Sequence, residues 1–212
     1  MARCILFDLD GTLTDSGKGI MNCARKTLAK YGQPIPDDTT MRTIVGPPLV
    51  QSFARLGIPQ EQVAEAVVYY RALYEAGGKY ENIPYPGIEN LLHKLKDDGH
   101  RLFVATSKPE HMSVDILQHF HMDHYFEHIC GAQIDGVRDK KSAVIAYLLE
   151  KIGNAENVIM VGDTVFDVLG AKELGISTIA VSWGYGQVND MINAGAIAVA
   201  DTMEELYTLL TR

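Results

Sequence analysis

Cys4-Ile5-Leu6-Phe7-Asp8-Leu9-Asp10-Gly11-Thr12 decides how the rest of the chain is read. Its four apolar residues, Cys4 to Phe7, have the length and bounds of a buried strand. Asp8 and Asp10 follow at i and i+2, a spacing that puts both side chains on one side of an extended backbone. Gly11 then marks a turn. Two carboxylates meeting at a strand end repel unless a cation neutralises them or one keeps a proton. Hard divalent cations such as Mg²⁺ take carboxylate and carbonyl oxygens, so the pair is a candidate Mg²⁺ site. The same spacing also suits a turn or a calcium loop, and the remainder of the chain has to discriminate.

The 212 residues suit one substantial core with a smaller appended unit. Apolar residues make up 47% and charged residues 22%, as in an ordinary globular protein. A net charge of −8 disfavours nucleic acid and anionic membrane as partners. No run of 18 apolar residues occurs, and the start of the chain shows no basic-then-apolar leader pattern. Cys4, Cys23 and Cys130 are odd in number and far apart, which suggests small core side chains in a reducing compartment. A cytoplasmic protein, monomer or homodimer, is expected.

After the opening strand, no strand is needed between residues 15 and 80, where the patterns are helical. Ile20, Cys23, Ala24 and Leu28 recur at helical spacing, as do Val63, Ala66, Val67, Tyr70 and Tyr74, with short helices expected around 41–45 and 49–56. From Pro84 the texture changes to alternation. Strands are expected at 101–106, 125–130, 158–161, 177–181 and 196–199, with helices at 88–96, 109–120, 142–151, 166–174 and 203–210. Apolar strands separated by amphipathic helices indicate a parallel sheet covered on both faces. The expected architecture is a doubly wound α/β core, residues 1–14 and 84–212, with an inserted small all-helical domain at 15–83.

In such sheets ligands bind at the carboxyl ends of the strands. The first strand presents Asp8 and Asp10 there. The second presents Thr106-Ser107-Lys108 at a helix start, where backbone N–H groups attract anions. A later strand runs into Gly162-Asp163-Thr164-Val165-Phe166-Asp167, and Lys140-Lys141 precedes the helix between. Carboxylates for a cation, with hydroxyls and lysine for an anion, together describe a phosphate-plus-Mg²⁺ site.

This ordered set resembles the haloacid dehalogenase-like superfamily of phosphatases, over essentially the whole chain. Its DxDGT motif is Asp8 to Thr12, its strand-terminal Ser/Thr is Thr106, its lysine fits Lys141 better than Lys140, and its GDxxxD motif is Gly162 to Asp167. The helical insertion, with Val45-Gly46-Pro47-Pro48-Leu49 and Tyr85-Pro86-Gly87, is similar to the phosphoglycolate-phosphatase-like branch and its 5'-nucleotidase-like members. The resemblance implies that Asp8 is the nucleophile, giving an aspartyl-phosphate, and Asp10 the general acid and then base. It implies Mg²⁺ on the carboxylates of Asp8 and Asp163 and the main-chain carbonyl of Asp10. Thr106, Ser107, Gly11 and Lys141 would bind the phosphoryl group, with Asp167 orienting its neighbours.

The substrate is then a small phosphate ester, a nucleoside 5'-monophosphate or phosphoglycolate by preference, selected by the helical insertion. A sugar-phosphate phosphomutase, a pyrophosphatase and a non-catalytic regulatory module are the alternatives. Asp10 disfavours a dehalogenase, whose reaction has no leaving alkoxide to protonate. Other signals point to packing or solvent: the histidine run His119, His121, His124, His128; Gly17-Lys18-Gly19, which lacks a P-loop's spacing; Gly184-Tyr185-Gly186 beside Trp183; and Arg42 and Arg55.

Overall fold

The computed structural model describes residues 2–133 and 138–212. They group into two compact units, Met1–Asp15 with Pro84–Arg212, and Ser16–Ile83. In chain order the elements are β1 (Cys4–Phe7), β2 (Thr14–Asp15), α1 (Gly17–Lys30), α2 (Asp38–Arg42), α3 (Leu49–Arg55), α4 (Gln60–Ala76), β3 (Ile83–Pro84) and α5 (Ile88–Asp97). There follow β4 (Arg101–Pro109), α6 (Glu110–His119), β5 (His128–Ala132), α7 (Lys141–Ile152), β6 (Val158–Gly162), α8 (Val165–Lys172), β7 (Ser177–Val181), α9 (Val188–Ala194), β8 (Ala198–Ala200) and α10 (Met203–Thr211).

Six strands form one sheet in the order β5-β4-β1-β6-β7-β8, and every pairing is parallel. β1, whose four residues are all apolar and buried, is in the middle of the order. The alternation along β1 shows why it reads as an unbroken apolar run. Ile5 and Phe7 join a cluster with Leu91, Leu92 and Leu95 of α5 and Leu206 and Leu210 of α10. Cys4 and Leu6 face the other way, onto Val144, Ile145 and Leu148 of α7 and Ala171 of α8. Both faces of the sheet are thus covered, the arrangement parallel strands require. The chain passes from β1 to β4 and β5 on one side, then crosses to β6 on the other. β1 therefore lies at the switch in strand order, where an open sheet leaves a crevice at its carboxyl edge.

The Ser16–Ile83 unit has its own core. Ile20, Cys23, Ala24 and Leu28 of α1 are buried, as are Val63, Ala66, Val67, Tyr70 and Tyr74 of α4. Phe53 of α3 packs edge-on against Tyr70, and Tyr70 stacks on Tyr74, with ring centres 5.7 and 5.8 Å apart. No helix of the described residues is long and apolar enough to cross a membrane.

Several local expectations change. The helix expected at 41–45 is instead Asp38–Arg42, and β4 runs to Pro109, where a helix was expected to begin. Tyr125 does not begin a strand: it ends a 3-10 turn, Asp123–Tyr125, and β5 starts at His128. Its ring is buried and its hydroxyl reaches Glu89, so a turn serves it better than an extended backbone. Helix α9, unread from sequence, buries Met191 but little else, which leaves a weak periodic signal.

Leu92 is fully buried between α5 and the sheet. Leu92→Ala is expected to lower the free energy of unfolding by about 2–5 kcal/mol, measured by urea denaturation. An unchanged midpoint would remove α5 from the core.

Candidate active site

Two strands, β1 and β6, lead into the carboxylates at the sheet's carboxyl edge. Asp8 continues β1, its amide donating to Val161 O of β6 at 2.9 Å. Asp163 follows β6, and Asp167 lies in the first turn of α8. Ligand oxygens of Asp8, Asp163 and Asp167 lie within 4.8 Å of one another, and all three residues are buried. Burial pushes the Asp8 carboxyl above its ordinary pKa, opposed by the Lys141 ammonium beside it. Asp163 is driven further up, by burial first and then by its neighbours Asp167 and Asp8.

Each carboxylate is held by specific partners. Asp8 Oδ1 accepts the Leu9 amide at 2.7 Å and lies 2.9 Å from Lys141 Nζ, and the buried Thr106 hydroxyl also donates to Asp8. Asp163 Oδ1 accepts the Thr12 hydroxyl at 3.1 Å, and its Oδ2 accepts the Tyr185 amide at 2.8 Å. Asp167 closes a capping box, Oδ2 accepting from Thr164 N and Oγ1, while Oδ1 sits 2.7 Å from Lys141 Nζ. Oδ2 of Asp167 is thus committed to Thr164, while Oδ1 is buried and ion-paired with Lys141 but accepts no hydrogen bond.

Lys141 is the first residue of α7 and is buried, whereas Lys140 is exposed. Gly170 of α8 makes room for it, since a Cβ there would lie 2.8 Å from the Lys141 Cβ. Burial opposes the ammonium charge, but Asp167 and Asp8 outweigh it and raise its pKa. Along β4 the side chains alternate: Thr106 and Lys108 are buried and Ser107 is exposed. Asp10 stands apart from the three clustered carboxylates, with its Oδ2 2.6 Å from Lys108 Nζ.

The loop after β7 belongs to the site, although its glycines suggested nothing from sequence. A Cβ on Gly184 would lie 2.2 Å from Asp163 Oδ2, and one on Gly186 2.1 Å from the Asp163 carbonyl. Gly11, at φ +83°, approaches from the other side and would place a Cβ 2.1 Å from Asp163 Oδ2. Trp183 Nε1 donates to Thr12 O at 3.2 Å, and the Tyr185 hydroxyl donates to Asp15. Three glycines at such contact distances, with no room for a methyl, mark Asp163 as a tightly positioned group. The one cue in the sequence was position: this loop leaves a strand at the same edge.

The donor set fits a divalent cation. Asp8 and Asp163 offer buried carboxylate oxygens at short mutual range, and hard oxygen donors suit Mg²⁺ or Ca²⁺ rather than a soft metal. The histidine run takes no part: His119 packs on Phe120, His124 on Tyr125 and His128 on Phe103. Arg55 reaches the carbonyl and hydroxyl of Thr43, within its own unit, and Arg42 is exposed.

A family model for haloacid dehalogenase-like hydrolases matches residues 5–181. The chain belongs to that family. It is accordingly an enzyme, of the family's phosphatase class. It is 41% identical over 189 residues to a 5'-nucleotidase of Pseudomonas aeruginosa, covering 88% of this chain and 86% of the relative. It is 42% identical over 211 residues to the tyrosine-protein kinase PtkA of Mycobacterium tuberculosis, covering 98% of this chain and 72% of that one. The crystal structure of a predicted phosphatase from Clostridium acetobutylicum superposes with a TM-score of 0.93 at 39% identity, covering 100% of this chain and 99% of that chain.

Gly184→Ala is expected to weaken divalent-cation affinity roughly 10–100-fold, the usual effect of disturbing a ligand's support. Gly77→Ala, where a Cβ meets open space, should leave it unchanged. Titration of Mg²⁺ by calorimetry separates the two. Equal affinities in both variants would free Asp163 of any dependence on the loop.

Proposed function

We propose that the chain is a Mg²⁺-dependent phosphomonoester hydrolase acting through an aspartyl-phosphate on Asp8. The observation that carries this reading is the setting of Asp8. Its carboxylate is buried at the carboxyl edge of the central strand, held by Lys141 and Thr106, with Asp163 and Asp167 close by. A carboxylate so fixed, with cationic charge to receive a dianion, suits attack on phosphorus.

In the first half-reaction an Asp8 oxygen bonds to phosphorus as the P–O bond to the leaving group breaks. Asp10, two residues on, delivers a proton to the departing oxygen. In the second, Asp10 takes a proton from water as its oxygen attacks phosphorus, which releases inorganic phosphate and regenerates Asp8. Asp8 and Asp163, with the Asp10 carbonyl, would hold Mg²⁺. Once bound, the cation screens the approaching dianion from the carboxylates and stabilises the transferring oxygens. Thr106, Ser107 and Gly11 would bind the phosphoryl oxygens, and Lys141 offsets the Asp8 charge.

The 41% identical 5'-nucleotidase favours a nucleoside 5'-monophosphate as substrate, with phosphoglycolate the second candidate. We assign the choice of leaving group to the helical unit. A second reading is favoured by the relative named tyrosine-protein kinase: the same aspartyl-phosphate passing its phosphoryl group to a protein hydroxyl in place of water.

With Mg²⁺ and a panel of nucleotide, sugar and two- to three-carbon phosphates, released phosphate is expected, and excess EDTA should abolish it. Asp8→Asn should eliminate turnover, and Asp10→Asn should slow it by about 10²–10⁴-fold. Full turnover by Asp8→Asn would refute the mechanism. Label appearing on a tyrosine peptide in place of free phosphate would favour the second reading.

A further inference from the structure

Two lysines reach this edge, and they are placed differently. Lys141 Nζ has three oxygens within 3.1 Å: Asp167 Oδ1 at 2.7 Å, Asp8 Oδ1 at 2.9 Å and the Ala105 carbonyl at 3.1 Å. Its hydrogen bond goes to the Ala105 carbonyl, and the two buried carboxylates hold it as ion pairs. Its charge is already shared between Asp8 and Asp167. Releasing either carboxylate leaves a buried charge uncompensated, a costly exchange.

Lys108 is anchored from beneath and reaches into the site. Its amide donates to Thr106 Oγ1 at 3.3 Å. Gly131 of β5 comes so close that a Cβ there would lie 2.4 Å from the Lys108 carbonyl. Gly131 is in turn clamped: its amide donates to Glu110 Oε2 at 3.2 Å, its carbonyl accepts from Arg138 Nε at 2.8 Å, and Arg138 closes the ring onto Glu110 at 2.7 Å. The backbone under Lys108 is thereby fixed, while its four-carbon stem carries the ammonium to Asp10 Oδ2 at 2.6 Å. Asp10 is the group that must meet the leaving oxygen, so a cation on Asp10 stands next to the scissile bond.

We propose that Lys108 is a further catalytic residue of the phosphoryl-transfer site: it exchanges Asp10 for an oxygen of the phosphate ester, while Lys141 stays as the fixed counter-ion of Asp8 and Asp167. The assignment rests on the hydrolase reading above. The exchange keeps the ammonium paired throughout, since the arriving dianion replaces the carboxylate it leaves. It also turns Asp10 loose at the moment its oxygen is needed by the leaving group. The ligand class is a phosphate monoester dianion, with inorganic phosphate as the product that probes the same contact.

The test is the affinity for inorganic phosphate in the presence of Mg²⁺, by calorimetry, for the wild type, Lys108→Met, Lys108→Arg, Asp10→Asn and the double variant Asp10→Asn/Lys108→Met. Lys108→Met should weaken phosphate roughly ten- to a hundredfold, the scale of one charge-assisted hydrogen bond, with kcat/KM falling at least as far. Lys108→Arg should recover part of both. Asp10→Asn removes the competing carboxylate and should bind phosphate at least as tightly as the wild type. Adding Lys108→Met to Asp10→Asn should cost the same factor as before. The double variant leaves no unpaired Asp10 charge, so it decides the matter if Lys108→Met alone does not fold. Phosphate affinity equal in Asp10→Asn and the double variant would overturn the proposal and make Lys108 a partner of Asp10 alone. A wild type that hydrolyses no ester and binds no phosphate would instead refute the hydrolase reading.

Discussion

The mutual repulsion of Asp8, Asp163 and Asp167, with ligand oxygens within 4.8 Å and almost no solvent around them, governs the rest of this structure. At about 4 Å and an effective dielectric constant of about 20, one pair of unit charges repels by about 4 kcal/mol. A whole domain is stable by only about 5–15 kcal/mol. The cluster therefore needs positive charge inside it. Lys141 supplies one unit between Asp8 and Asp167, and its raised pKa reflects both. Asp163 has dipoles, from the Thr12 hydroxyl and the Tyr185 amide, and no lysine. Its carboxyl is pushed well above the ordinary range by burial, Asp167 and Asp8.

The fold makes this concentration of charge tolerable. Asp8 and Asp163 each sit just beyond a strand whose own side chains are apolar on both faces, so two packed layers lie beneath them. β1 at the centre of the order, with β4 and β6 on its flanks, supplies Asp8, Thr106 and Asp163 from three adjacent strands. Glycines bring backbone into contact where side chains would not fit: Gly11, Gly184 and Gly186 around Asp163, Gly162 against Asp167, Gly170 against Lys141. Function is placed by the sheet and finished by these close approaches.

Much of the framework was legible in the residues. Cys4–Phe7 and Val158–Val161 announce buried strands because both faces are covered, and Asp8, Asp163, Asp167 and Lys141 stand at motif spacings. What stayed hidden depends on contacts that no period encodes. Lys108 looks like one more polar residue at a strand end until β4 is seen to continue to Pro109, with Lys108 on the same side as Thr106. Gly184 and Gly186 carry no signal of their own, because their part is the absence of a Cβ beside a residue some twenty positions earlier. Tyr125 has the composition of a strand residue, but a hydrogen bond to Glu89 and a buried ring settle it in a turn.

The proposed bond between Asp8 and phosphorus can be caught. Enzyme turning over a phosphate ester with Mg²⁺ is quenched rapidly and reduced with borohydride, which converts an acyl-phosphate of aspartate to homoserine. Peptide mass spectrometry then locates the product. Homoserine in place of Asp8, dependent on both ester and Mg²⁺, is the predicted result. Steady hydrolysis with Asp8 unmodified, or phosphate trapped on another side chain, would contradict it.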